Sequence, residues 1–91
     1  RVLASGAQDV SHLDESYDGE TPDILDNAFV VVDYPSGARA LLDLCMFADA
    51  SHNQEELSVV GDRGKVEAFL PSCELRWTER AKGAAGLHQE I

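Results

Sequence analysis

The side chains best suited to acid–base, nucleophilic or metal chemistry here are three histidines, His12, His52 and His88, and two cysteines, Cys45 and Cys73. No histidine lies three or four residues from another histidine or a cysteine, so the ligand spacing of a zinc site is not met. Cys45 sits in the apolar run ALLDLCMF and reads as a small buried hydrophobe. His52 and Asn53 fall between two strand candidates, a place where binding residues are often carried, although a solvated loop histidine is the plainer reading. Asp43, between Leu42 and Leu44, needs a partner or an exposed face, and Arg39 on the same face is one candidate. Nothing supplies a Ser-His-Asp or Cys-His arrangement. The segment Gly61–Lys65 (GDRGK) resembles part of a phosphate loop, but Val59 stands where GxxxxGK requires glycine, so it reads as a hairpin turn. Asp14–Gly19 (DESYDG) opens like a calcium loop, yet Pro22 and Leu25 occupy its ninth and twelfth positions, where the closing carboxylate is needed. A GxGxxG fingerprint is absent. No catalytic, cofactor-binding or metal residue is therefore assigned.

The elements that would position these residues are strands. Arg1–Ala7 is a weak edge candidate, and Asn27–Tyr34 (NAFVVVDY) is dense in β-branched and aromatic residues. Pro35-Ser36-Gly37 supplies a tight turn into Ala38–Asp49, which makes a hairpin. A helix over Ala38–Asp49 is disfavoured, because no capping residue follows Gly37. Glu55–Val60 and Lys65–Leu70 form a second hairpin across Gly61–Gly64, with Gly64 expected in a left-handed bulge position. Pro71-Ser72 breaks the chain before a last strand, Glu74–Arg80. Residues 9–26 read as an acidic loop, expected to be mobile for want of contacts, and residues 81–91 as a flexible tail. The expectation is one domain over residues 1–91, mainly an antiparallel sheet of about five or six strands with little helix. Its central strands carry apolar residues on both faces, Leu42, Leu44 and Met46 on one and Leu41, Cys45 and Phe47 on the other. An antiparallel sheet with one wet face should alternate, so something outside the sheet is expected to cover it.

Ninety-one residues make about one small domain. Arg1 stands where an initiator methionine would be, which suggests a processed chain or a fragment. Seventeen acidic residues against seven basic ones give a net charge of −10, and no Lys or Arg falls between Val2 and Ala38. Such a surface repels phosphates and anionic lipid, so nucleic acid and membrane are not expected partners. No apolar run approaches the ~20 residues of a membrane span. Two cysteines are too few for a disulfide framework, which points to a cytoplasmic setting.

The order Asp26-Asn27-Ala28-Phe29-Val30-Val31-Val32-Asp33-Tyr34-Pro35-Ser36-Gly37-Ala38-Arg39-Ala40, then Glu56-Leu57-Ser58-Val59-Val60-Gly61-Asp62-Arg63-Gly64-Lys65-Val66-Glu67, resembles one family. It is similar to the C-terminal domain of the glucose-fructose oxidoreductase/inositol dehydrogenase/MocA (Gfo/Idh/MocA) oxidoreductases. The resemblance covers roughly residues 1–70, where a strand, turn and long strand precede a "v-x-G-x-x-G-x-l/v-e" hairpin. It implies an α+β domain of which this chain is mainly the antiparallel sheet. It also implies a parent NAD(P)-dependent dehydrogenase of sugars, cyclitols or related alcohols, in which this domain shapes the substrate pocket and the subunit interface. Departures matter as much. The family's nucleotide-binding glycines, its Glu-Lys-Pro segment and its Asp/His pair have no counterpart here, so no site residue is carried over. The chain is expected to bind no cofactor alone, NAD or NADP being expected of the parent with an N-terminal Rossmann domain. It is also expected to form a homo-oligomer, a dimer, through the sheet face. A self-standing acidic β-module for protein–protein association is the alternative.

Overall fold

The computed structural model describes residues 1–90, and the chain divides into two compact units, Arg1–Asp49 and a second beginning at Ala50. The first holds β1 (Val2–Ala7), β2 (Asn27–Asp33) and β3 (Arg39–Cys45) in an antiparallel sheet of order β1-β2-β3. The second holds β4 (Glu55–Gly61), β5 (Gly64–Leu70), β6 (Glu74–Glu79) and β7 (Leu87–Glu90), with a single 3₁₀ turn at Gly83–Gly86 before β7. Its order is β4-β5-β6-β7. Among the described residues there are seven strands and almost no helix. The expected antiparallel, helix-poor fold is what forms, with seven strands rather than five or six and in two sheets rather than one, because β3 and β4 each pair on one side only. The segment between them carries Asp49, Ser51 and Asn53, with Ala50 at φ 57°, and offers no strand to bridge them.

Both hairpins form where the turn chemistry placed them. Between β2 and β3, the Gly37 N–H donates to the Tyr34 carbonyl at 3.0 Å, and Gly37 takes φ 93°. The Tyr34 N–H then donates to Ala38, so the turn ends in a left-handed glycine that matches strand twist. In the β4–β5 hairpin Gly61 pairs with Gly64 across Asp62-Arg63. Gly64 is a glycine for a reason other than the expected bulge. A Cβ there would lie 2.0 Å from the Thr78 carbonyl oxygen of β6, so the close approach of a neighbouring strand demands it.

The segment read as a tail is also more regular than expected. Leu87 pairs with Thr78 and His88 with Trp77, and the Trp77 and His88 rings stack at 5.1 Å and 11°. Cross-strand aromatic pairing of this kind contributes to sheet stability and gives residues 87–90 a partner.

Register sorts the faces. In the first sheet, Val30 pairs with Ala4 and Leu42, and Ala28 with Gly6 and Leu44, so one face is apolar throughout. The other carries Phe29, Val31 and Leu41 beside Asp33, Arg39 and Asp43. In the second sheet, Leu57, Val59, Val66, Ala68, Leu75 and Trp77 share one face, while Ser58, Lys65, Glu67 and Arg76 share the other. Ala28 is the one buried hydrophobic residue among the described residues; Leu41 is 70% exposed and Leu57 64%. Cys45, expected to be buried, is exposed. No helix among the described residues is long and apolar enough to cross a membrane.

Candidate functional site

Two places gather polar side chains: the loop between β1 and β2, and a cavity in the second unit. The loop is built on Asp26, which has no accessible surface. Its carboxylate accepts the backbone N–H of Asp9 at 3.0 Å and those of Val10 and Ser11 at 2.7 Å each. The Asn27 amide adds a further donor at 2.8 Å. Burial pushes the Asp26 carboxyl up, but the Ser11, Val10 and Asp9 N–H groups and the Asn27 amide outweigh it, holding the group well below the usual carboxylate range. The Asp26 N–H and C=O continue the pairing, to Ala7 at 3.0 Å and from Met46 at 2.8 Å. These contacts correct the expectation that the chain lacks the means to hold the loop: both ends are tied to one carboxylate.

Within that loop the calcium-like segment is a tight turn. Tyr17 and Glu20 exchange backbone hydrogen bonds at 2.7 and 2.9 Å, with Asp18 at φ 52° and Gly19 at φ 84°, the pair of left-handed residues a type I′ turn requires. His12 Nδ1 lies 2.5 Å from Glu15 Oε2, and the Tyr17 hydroxyl donates to the same oxygen at 3.0 Å. Hydrogen bonding by His12, then by Tyr17, draws the Glu15 carboxyl below its ordinary value, and the same contact raises the Tyr17 hydroxyl. His12 and Glu15 are both well exposed, so this is a solvated surface network.

The cavity, about 540 Å³, is lined by His52, Asn53, Phe69, Pro71, Ser72, Glu74 and Arg76. Phe69, Glu74 and Arg76 come from the polar-side positions of β5 and β6, where Phe69 pairs with Glu74 and Arg76 with Glu67. His52 and Asn53 precede β4, and the Gln54 N–H donates to Leu70 at 2.8 Å, drawing that link to the end of β5. Sequence reasoning singled out His52 and Asn53 but missed Arg76 and Glu74, whose alternation in ELRWTER was the available signal. His88 is elsewhere, stacked on Trp77. Asp43 and Arg39 form no ion pair; Arg1 bridges Asp33 at 2.9 Å instead. In Gly61–Lys65 the Asp62 and Arg63 carbonyls accept from Arg80, at 3.2 and 2.9 Å, so the segment is a braced hairpin turn.

Strands in this order, with these hairpins and so little helix, define a sheet-rich domain. A family model described as "Oxidoreductase family, C-terminal alpha/beta domain" matches residues 3–88. The chain belongs to that family, as the C-terminal domain of the Gfo/Idh/MocA oxidoreductases. No curated protein matches it.

Proposed function

We propose that this chain is the sheet portion of an NAD(P)-dependent dehydrogenase of sugars, cyclitols or related alcohols, where it shapes the substrate pocket and joins subunits. The family match over residues 3–88 carries the reading. The interface part draws on the exposed apolar faces, Leu41 at 70%, Leu42 at 54% and Val59 at 59%. Soluble monomers seldom leave patches beyond a few hundred Å² uncovered. Burying about 600 Å² of apolar surface supplies roughly 15 kcal/mol, against association costs of about 4–15 kcal/mol. The surplus, anywhere from nothing to about 11 kcal/mol, supports a homodimer without fixing its affinity. A cytoplasmic setting suits the two free thiols, Cys45 and Cys73.

The test is enzymatic and hydrodynamic. The dehydrogenase of which this chain is proposed to be part should reduce NAD or NADP with a polyol from a panel of cyclitols and aldoses. The 91-residue chain alone should not bind NADH. Micromolar NADH binding by the chain alone, lost on Gly64→Val, would show a nucleotide site at the hairpin and sink the accessory role.

A further inference from the structure

We infer that the cavity beside β6 is a binding site for a small hydroxylated monocarboxylate, held through the Arg76 guanidinium. Arg76 stands in register between Glu67 and Gln89. Glu67 lies 3.7 Å from Lys65 Nζ, and the Glu74 carboxylate accepts from the Gln89 amide. Both nearby carboxylates are thus engaged, and Arg76 has no ion pair among the described residues while lining the cavity.

A guanidinium presents a planar fork of donors that fits a carboxylate in two parallel hydrogen bonds. One cation favours one negative charge. Glu74 on the same wall opposes a doubly charged phosphate more strongly than a singly charged carboxylate. The remaining lining suits hydroxyl groups. Asn53 donates its amide to Glu56 at 3.0 Å and so keeps its carbonyl oxygen for a ligand donor. Ser72 offers a hydroxyl and His52 a ring nitrogen, while Phe69 supplies an apolar wall for the carbon chain. A cavity near 540 Å³ lies within the range of small-ligand sites. This inference rests on the second unit alone and stands whether or not the dehydrogenase reading does.

The experiment is a titration of the full chain, followed by amide and Arg Nε resonances. Four probes separate the chemistry: D-ribonate; ribitol, the same skeleton without the charge; acetate, the charge without hydroxyls; and inorganic phosphate. Ribonate should bind saturably, moving Asn53, Phe69, Ser72, Glu74 and Arg76, and more tightly than the other three. Arg76→Gln should weaken ribonate about tenfold or more, and Arg76→Lys should fall between, since it keeps the charge but loses the fork. The spectrum of each variant reports its fold, and should Arg76→Gln fail to fold, Arg76→Lys alone decides. Ribitol or acetate binding as well as ribonate, phosphate binding better, or ribonate affinity unchanged in the folded variants would each overturn the proposal.

Discussion

Replacing Gly64 by alanine should disorganise the four-stranded sheet, whereas the same change at Gly61, its partner across the hairpin, should not. A Cβ on Gly64 would lie 2.0 Å from the Thr78 carbonyl oxygen and 3.1 Å from its carbon. Carbon and oxygen rest at about 3.3 Å, so β5 and β6 must separate by roughly 1 Å at that point. The pairs Gly64–Glu79 and Lys65–Thr78 lie there. Losing their hydrogen bonds costs about 1 kcal/mol each, and the forced backbone shift adds a similar amount, roughly 2–4 kcal/mol together. At about 0.05–0.15 kcal/mol per residue, a unit of ~40 residues has only roughly 2–6 kcal/mol to lose. With a urea slope of about 1 kcal/mol per molar for so small a unit, the midpoint should fall by about 2–4 M. Trp77, the single tryptophan, lies on β6 and reports the transition by its fluorescence. At Gly61 an added Cβ meets nothing within 4 Å, and its backbone is not left-handed. Gly61→Ala should therefore hold the midpoint or raise it slightly, by about 0.4–1 kcal/mol through the unfolded state. Equal midpoints for the two variants would refute the close-approach argument.

Asp26→Asn should speed amide exchange at Val10 and Ser11, whose N–H groups both bond to Oδ2, while leaving Val31 protected; unchanged exchange would mean that the loop has another anchor. The Asp26 carboxyl is more acidic folded than unfolded, so its stabilisation is complete above the unfolded value of about 3.9 and fades as pH falls below it. Wild type should accordingly lose urea resistance below about pH 4 more steeply than Asp26→Asn, and parallel curves would contradict this. Leu42→Asp and Leu41→Asp alter opposite, exposed faces of β3, so both should leave the first unit folded and at most one should block self-association; sedimentation of wild type as a folded monomer at ~100 μM in moderate salt would rule the dimer out.

The strands were legible because their signals are local. NAFVVVD and the Pro-Ser-Gly turn need only neighbouring residues to be read, and they fall at β2 and its hairpin. What escaped was set by distance along the chain. Asp26 looks like one more carboxylate in an acidic run, and only folding brings Asp9, Val10 and Ser11, fifteen to seventeen positions away, onto it. Gly64 looked like a turn residue because glycine is ambiguous: its requirement comes from Thr78, on a strand the hairpin does not include. The cavity escaped likewise, since His52 and Arg76 meet only through the β4-β5-β6 pairing. Residues 81–91 read as a tail because Lys-Gly-Ala-Ala-Gly lacks strand character, while the Trp77–His88 stack is invisible to periodicity.

The charge pattern bears on which apolar face can pair with a copy of itself. Residues 1–49 hold ten carboxylates against two cations, while residues 50–91 hold seven against five. Bringing two copies of the first sheet together opposes two such surfaces, a repulsion that salt screens over about 10 Å at 0.1 M. The second sheet meets less of it, and its alternation is cleaner, with Leu57, Val59, Val66, Leu75 and Trp77 on one side and ions on the other. Association through the first sheet should therefore strengthen markedly with salt, and association through the second only slightly. Comparing dimer affinity at low and moderate salt in Leu42→Asp and in Val59→Asp assigns the interface. If Val59→Asp abolishes the dimer and wild-type affinity barely changes with salt, the second sheet forms the contact. If Leu42→Asp does so and wild-type affinity climbs with salt, the acidic unit forms it, and screening is what lets it assemble.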